Sequence, residues 1–539
     1  MTKLVSSKDL HHWLQDEKEL ALLDVREEGV FSAEGHLLFA VCAPLSKLEL
    51  QIFSLVPRKT VRLVLCDGGE GLCESAANKL DNWGYTDVFI LEGGIGEWQA
   101  SGNVLFRGVN VPSKAFGEFV EHRSKTPSIS AAQLKSMIDA KEKLVVLDSR
   151  PWLEYKRMNI PTGIDCPGAE LIYRVHDLVD DPKTTIVVNC AGRTRSIIGA
   201  QSLINAEIVN KVVALRNGTM GWVLAGLKLE TDSDRNFSAI TNKGLNKARV
   251  CADRLASRFC IQTIDLKTLE EWQQEKEMRS LYILDVRNPE EYVSGHLAGS
   301  VCAPGGQLVQ ATDKWVGTMR ARLVLLDDTG VRAKLTASWL IQMGWPEVFV
   351  LEGALEKIEL ISGMPKNMVV PYKEGSIEKI SPETLQEEQK IGSTTVVDLA
   401  NSLEYKAAHI PKAWWIVRSR MPQSLEKISG NGPLVFTSPD GQLAALSAID
   451  AKGLTKRPIK ILKGGTMAWK LAGFPLIGGF ENLACQNNDV QYKAYDYEKN
   501  IEQHMQEYLS WETGLIGMKE GGKRTIFIPY ELAYGESGA

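Results

Sequence analysis

Four short apolar runs punctuate the chain and end alike: LALLDVR (20–26), LVVLDSR (144–150), LYILDVR (281–287) and TTVVDLA (394–400). Each is too short for a helix, rich in aliphatic residues, and predicts a buried strand. Each carries an aspartate near its end: Asp24, Asp148, Asp285 or Asp398. Glu154-Tyr155, Glu291-Tyr292 and Glu404-Tyr405 follow at six residues from their aspartates. Next come turns at Gly35-His36-Leu37, Asn159-Ile160-Pro161, Gly295-His296-Leu297 and His409-Ile410-Pro411. Another set of apolar strands runs into polar or glycine-bearing loops: VRLVLCD (61–67), TTIVVNC (184–190), ARLVLLD (321–327) and GPLVFTS (432–438). A helical pattern follows each loop; in the second copy Ile197, Ala200 and Ile204 hold the helical spacing. Last comes a strand, a glycine turn and a helix: VFILEGGIGEW (88–98), VVALRNGTMGW (212–222), VFVLEGALEK (348–357) and IKILKGGTMAW (459–469).

Signals repeated four times in one order predict an α/β fold of four tandem modules, each a mainly parallel sheet flanked by helices. The boundaries are expected near 1–110, 122–232, 262–366 and 376–480, with a helical connector over 233–261 joining two pairs and a tail over 481–539. The length of 539 residues agrees, since domains average roughly 150 residues.

Composition narrows the function classes. Hydrophobic residues make up 44% and charged residues 24%, as in ordinary globular proteins. The formal charge of -5, with no basic blocks, argues against nucleic acid or an anionic membrane as partner. The N-terminal MTKLVSSKDLHHWLQDEKELALLDVR has no apolar core of a signal peptide. No run approaches the ~20 apolar residues that span a bilayer, so a soluble, cytoplasmic protein is expected. The nine cysteines (42, 66, 73, 166, 190, 251, 260, 302 and 485) form no CxxC and no zinc spacing. No metal and no cofactor is expected, and most of these thiols read as small buried hydrophobes of a reducing compartment.

The chemistry belongs where the third strand meets its helix. There the backbone N–H groups of a helix N-terminus are unsatisfied and attract an anion. Counted from the first-strand aspartate, Cys190 and Asp327 stand 42 residues on, Asp67 stands 43 on and Ser438 stands 40 on. Of these four cradle positions only Cys190 supplies a soft sulfur nucleophile. Its loop reads Cys190-Ala191-Gly192-Arg193-Thr194-Arg195-Ser196: a bend at Gly192, hydroxyls at Thr194 and Ser196, and two arginines suited to an anion. A thiolate held there is expected below the free pKa of about 8.5, each unit corresponding to ~1.4 kcal/mol. The other loops read DGGEGLC, DDTGVRA and SPDGQLA, and two of them open with an acid that repels thiolate and anion alike. Cys66 is the obvious competitor, but strand alternation turns it away from a cradle that Asp67 faces. Cys73 lies within the first loop and is a second, weaker competitor.

With VVNCAGRTRS (187–196), LDSRPWLEY (147–155) and LRNGTMGW (215–222), the chain resembles the rhodanese family of sulfurtransferases over nearly all of 1–480. The resemblance implies that Cys190 attacks the outer sulfur of a donor such as thiosulfate and becomes a persulfide, which cyanide or a thiol then relieves of its sulfur. It implies that Arg193 and Arg195 hold the donor's oxygens while loop amides stabilise the persulfide. Asp148 and Arg150 then brace the loop, Glu154 is structural, and Trp222 either lines the mouth or is a core aromatic. The remaining three modules are implied to be inactive. Asn159 stands where the family often has His, as at His36, His296 and His409, and that position reads as structural. The span from Cys190 to Arg195 is Cys-x4-Arg, one residue shorter than the Cys-x5-Arg of phosphatases on this fold, which favours sulfur over phosphorus. Mercaptopyruvate-using relatives tend to lack the loop arginines, which favours thiosulfate. The implied partners are a small-molecule sulfur donor and a cyanide, thiol or protein-thiol acceptor. The alternatives are a sulfur-carrier or protein-binding scaffold, and a phosphatase or arsenate reductase.

The tail carries Tyr492, Tyr495 and Tyr497 and predicts a helix over 501–511. Its end, GMKEGGKRTIFIPYELAYGESGA (517–539) with Tyr534, resembles a strand and loop of FKBP-type prolyl isomerases. About twenty residues stand there where a domain needs roughly a hundred, so no isomerase activity is expected.

Overall fold

The computed structural model describes residues 3–353, 355–356, 358–363, 369–372, 375 and 377–515. Four sheets of six, five, five and six strands form, each flanked by helices, in the α/β arrangement of repeated modules.

The second sheet and its surroundings position the cysteine loop. In chain order these are α1 (Val111–Ser124), β1 (Ser128–Ile129), β2 (Leu144–Asp148), β3 (Ile164–Asp165), α2 (Glu170–Leu178), β4 (Thr185–Asn189), α3 (Thr194–Asn205), β5 (Val212–Leu215), α4 (Gly218–Leu224) and α5 (Asn242–Arg258). Two elements from farther along the chain join them: α6 (Val331–Gln342) and α7 (Ile501–Gly514). The strand order is β1-β5-β4-β2-β3, all parallel. Alternate residues of the strands go to opposite faces. Val146, Val187, Val213 and Leu215 pack with Leu134 and Trp222 on one face. Leu147, Ile186, Val188 and Val212 pack with Leu171, Ile172 and Leu203 on the other. Burial on both faces is why these strands read as unbroken apolar runs.

Three features depart from the expected boundaries. Helix α1 occupies the stretch around 110–122 left between modules, and the side chains it buries include Ser113, Lys114 and Glu118. A buried face made partly of polar groups has no apolar period to read. The connector is helical only over α5, where Thr241 caps its start by accepting from the Gly244 amide. The fourth sheet runs past residue 480, because Asn482–Leu483 pairs with Trp414–Trp415.

The modules also share elements. Thr318–Met319 of the third segment pairs with Ala21 and Leu20 of the first sheet, the one antiparallel pairing among the described strands. One apolar core runs through the second and third modules, from Leu171 and Ile198 to Val331, Leu335 and Trp339, with α5 contributing Ala248 and Leu255.

Candidate functional site

The loop hangs between two braced strand ends. Asp148, at the end of β2, takes a two-pronged ion pair from Arg150 at 2.8 and 2.7 Å. Arg150 also donates to the Met158 carbonyl at 2.6 Å. Asp148 accepts from the Asn189 side chain at 2.8 Å, and Ser149 donates to the Asn189 carbonyl through its amide and its hydroxyl. This clamps the residue before Cys190. From the other side, the Thr219 and Met220 amides donate to the carbonyls of Cys190 and Ala191 at 2.9 and 3.0 Å. Gly218 permits that approach: it has φ +53°, and a Cβ there would lie 2.2 Å from the Cys190 carbonyl oxygen.

The cradle is alike in all four modules. Asp67 accepts from the Gly69 and Cys73 amides at 2.9 and 3.0 Å. Asp327 accepts from Gly330 and Arg332 at 2.7 and 3.1 Å. Ser438 accepts from Gly441 and Ala444 at 3.1 and 3.2 Å. In the second module the Cys190 sulfur has this place, facing the Ser196 amide and hydroxyl.

The charges around the sulfur differ from expectation. Cys190 is 2% exposed, and burial pushes its thiol above the ordinary range, against the pull of Arg195 and Ser196. The Glu512 carboxylate adds to the rise. The expected lowering fails because α7 covers the loop and removes water from the thiolate. Arg193 is committed elsewhere: it pairs with Glu118 at 2.6 Å, with Glu121, and with Asn217 at 3.2 Å. That narrows the expected pair of oxygen-holding arginines to Arg195, whose charge acts on Cys190. Arg195 pairs with Glu154 at 2.8 Å and touches Gln307 of the third module at 3.2 Å. Burial opposes the Glu154 charge, but Arg195 and Lys493 outweigh it and hold that carboxyl well below the usual range.

Thr194 donates to Glu512 through its hydroxyl at 2.6 Å and its amide at 3.3 Å, and the Ser196 hydroxyl donates to the Arg193 carbonyl at 2.8 Å. A Cβ on Gly192 would lie 3.0 Å from both Glu512 and the Tyr508 ring. Trp222 is a core aromatic, 1% exposed, with its indole N–H on the Lys228 carbonyl at 2.9 Å. Met220, whose amide holds the loop, packs with Ala494, Met505 and Leu509. Burial pushes the Cys66 and Cys73 thiols up, and the neighbouring acids Asp24 and Asp67 push them further. Cys66 turns toward the Leu23 carbonyl, 3.6 Å away. His36, His296 and His409 are buried and stack on Phe31, Tyr292 and Tyr405, while Asn159 donates to the Tyr155 carbonyl at 3.4 Å.

Sequence reasoning missed Lys114, Tyr508 and Glu512. The helical pattern of the tail was legible, but no sequence signal placed it over the loop.

A rhodanese-like domain model matches residues 6–101, 130–225, 265–360 and 381–472. The chain belongs to the rhodanese-like family. Its second rhodanese-like domain, 130–225, holds the cysteine loop. The crystal structure of thiosulfate sulfurtransferase from Pseudomonas aeruginosa is 44% identical, with a TM-score of 0.91, over 97% of this chain and 99% of that one. An uncharacterized Synechocystis protein is 30% identical over 100 residues, 18% of this chain and 55% of its own length. The putative sulfur carrier protein YrkF of Bacillus subtilis is 28% identical over 102 residues, 18% of this chain and 54% of its own. The rhodanese-like chain thus spans about half the length of these two curated relatives. A model of the FKBP-type peptidyl-prolyl cis-trans isomerase matches residues 484–539. The described part, to residue 515, carries a 3-10 turn at Ala494–Asp496 and α7. The FKBP-like run 517–539, with Tyr534, lies outside the described residues. Among the described residues no helix is long and apolar enough to cross a membrane.

Proposed function

We propose that this chain is a thiosulfate sulfurtransferase working through a persulfide on Cys190. The observation that carries the reading is the cradle series: of four equivalent positions, three hold oxygen and one holds sulfur. The 44% identity to a thiosulfate sulfurtransferase along almost the whole chain agrees with it.

The Cys190 thiolate attacks the outer sulfur of thiosulfate. A new S–S bond forms, the S–S bond of the donor breaks, and sulfite leaves with the electron pair. The terminal persulfide anion then lies against the Ser196 amide with the Arg195 charge close by. Cyanide or a thiolate, free or on a protein, takes the outer sulfur and returns the Cys190 thiolate. Asp148 and Arg150 keep the loop in shape throughout.

Thiosulfate with cyanide, assayed by thiocyanate release, tests the proposal. Wild type should turn over and Cys190→Ser should not. Intact mass after thiosulfate alone should rise by one sulfur atom, about 32 Da, in wild type only. Wild-type turnover that survives in Cys190→Ser, or phosphoester hydrolysis without sulfur transfer, would overturn it.

A further inference from the structure

Helix α7 lies outside the four repeats, yet it closes the cysteine loop. Glu512 is 1% exposed. One carboxylate oxygen accepts from the Thr194 amide and hydroxyl, in the first turn of α3. Among the described residues the other oxygen, also buried, has no hydrogen-bond partner. Lys114 stands 4.0 Å from the carboxylate and donates to the Tyr508 hydroxyl. An N-terminal helix amide beside a cationic side chain is a seat for an oxyanion. Here the chain's own carboxylate fills it, incompletely satisfied, which is unfavourable for a buried charge.

We propose that Glu512 sets the charge selectivity of the Cys190 site: its carboxylate holds the oxyanion seat of the loop, and an anionic donor reaches the sulfur by displacing Glu512 together with α7. The proposal deepens the sulfurtransferase reading and rests on it for the donor's identity. The docking contact rests on two small apolar clusters, Met220, Ala494, Met505 and Leu509 in one and Val111, Ala115 and Leu515 with Trp511 in the other, and the small size of each suits reversible release. With Glu512 gone, the charges of Lys114 and Arg195 still act on the sulfur, and an anionic donor replaces the lost charge.

Alkylation of Cys190 in the full-length chain separates charge from access. Iodoacetate is an anion and iodoacetamide is its neutral analogue. In both, the sulfur displaces iodide, an S–C bond forms, and any thiol proton goes to solvent. Rates are read at Cys190 by peptide mass, which excludes the exposed Cys260. Glu512→Gln should raise the iodoacetate-to-iodoacetamide rate ratio at least about fivefold, because a like charge a few Å from the incoming carboxylate is removed. Leu509→Ala, which loosens the helix and takes the carboxylate away with it, should raise the same ratio and speed iodoacetamide as well. Ratios within about twofold of wild type in folded Glu512→Gln would overturn the proposal; if that variant fails to fold, Leu509→Ala decides on the same criterion. These rates involve no sulfur transfer. Failure of the sulfurtransferase reading would instead show as absent thiosulfate turnover, whatever the ratio.

Discussion

Asp398 is the odd member of the four strand-end aspartates. Asp24, Asp148 and Asp285 each carry a paired arginine two residues on, at 2.6–2.7 Å. In the fourth module Ala400 stands in that place, and its amide donates to Asp398 at 2.8 Å. Burial, only partly offset by the Ala400 amide and reinforced by the Glu404 charge, pushes the Asp398 carboxyl up to about 7. A carboxyl raised in the folded state makes stability fall as pH rises from the unfolded value of about 4 through about 7. Asp398→Asn should therefore remove part of that loss, so that the Tm gap between variant and wild type widens from pH 5 to pH 8 in the variant's favour. A gap that does not change with pH would refute this. Asp148→Asn should behave oppositely: it strands Arg150 and loosens Asn189, lowering both Tm and sulfur transfer.

At the scale of elements, the turn before α4 decides whether the loop keeps its shape. Gly218→Ala would force a Cβ against the Cys190 carbonyl at positive φ. The expected cost is about 1–3 kcal/mol, with thiosulfate turnover reduced at least about tenfold through the displaced sulfur. Gly226, also at positive φ but facing open space, is the matched control: Gly226→Ala should lower Tm and leave turnover near wild type. Equal losses of turnover in the two variants would show that the close approach at Gly218 is unimportant.

At the scale of the molecule, the modules without a cysteine at the cradle position frame the one that has it. Arg332, fully buried on α6, pairs with Glu170 on α2 at 2.7 Å and with Glu291 at 2.6 Å. Trp339 donates to the Ser202 hydroxyl across the same seam at 2.8 Å. Arg418 of the fourth module pairs with Glu49 of the first at 2.7 Å, and Tyr282 of the third donates to the Leu55 carbonyl of the first. The tail ties the second module to the fourth, with Asp496 taking Arg157 through its side chain and Lys406 through its carbonyl. Arg332→Met should cost about 3–5 kcal/mol by leaving Glu170 buried and short of a partner. Chemical denaturation measures this, and Glu170→Gln in the same background should recover part of the loss. An unchanged denaturation midpoint in Arg332→Met would refute the seam's importance.

The repeats, the strands and the cradle position of Cys190 were legible because they are local. A buried strand writes an apolar run, a strand-end turn writes its glycine, and a count from one aspartate aligns the loops. Loop composition alone suggested two free arginines and an ionised thiol. The fold instead turns Arg193 to Glu118 and Glu121 and covers the sulfur with α7. Helix α1 left no apolar period because it buries Lys114 and Glu118, and those partners lie hundreds of residues away or in a different element. Residue order thus determined the four-part architecture and the one sulfur among its four cradle positions. Only tertiary packing decided which charges face that sulfur, because burial and the approach of distant segments, not local pattern, set the electrostatics of a closed site.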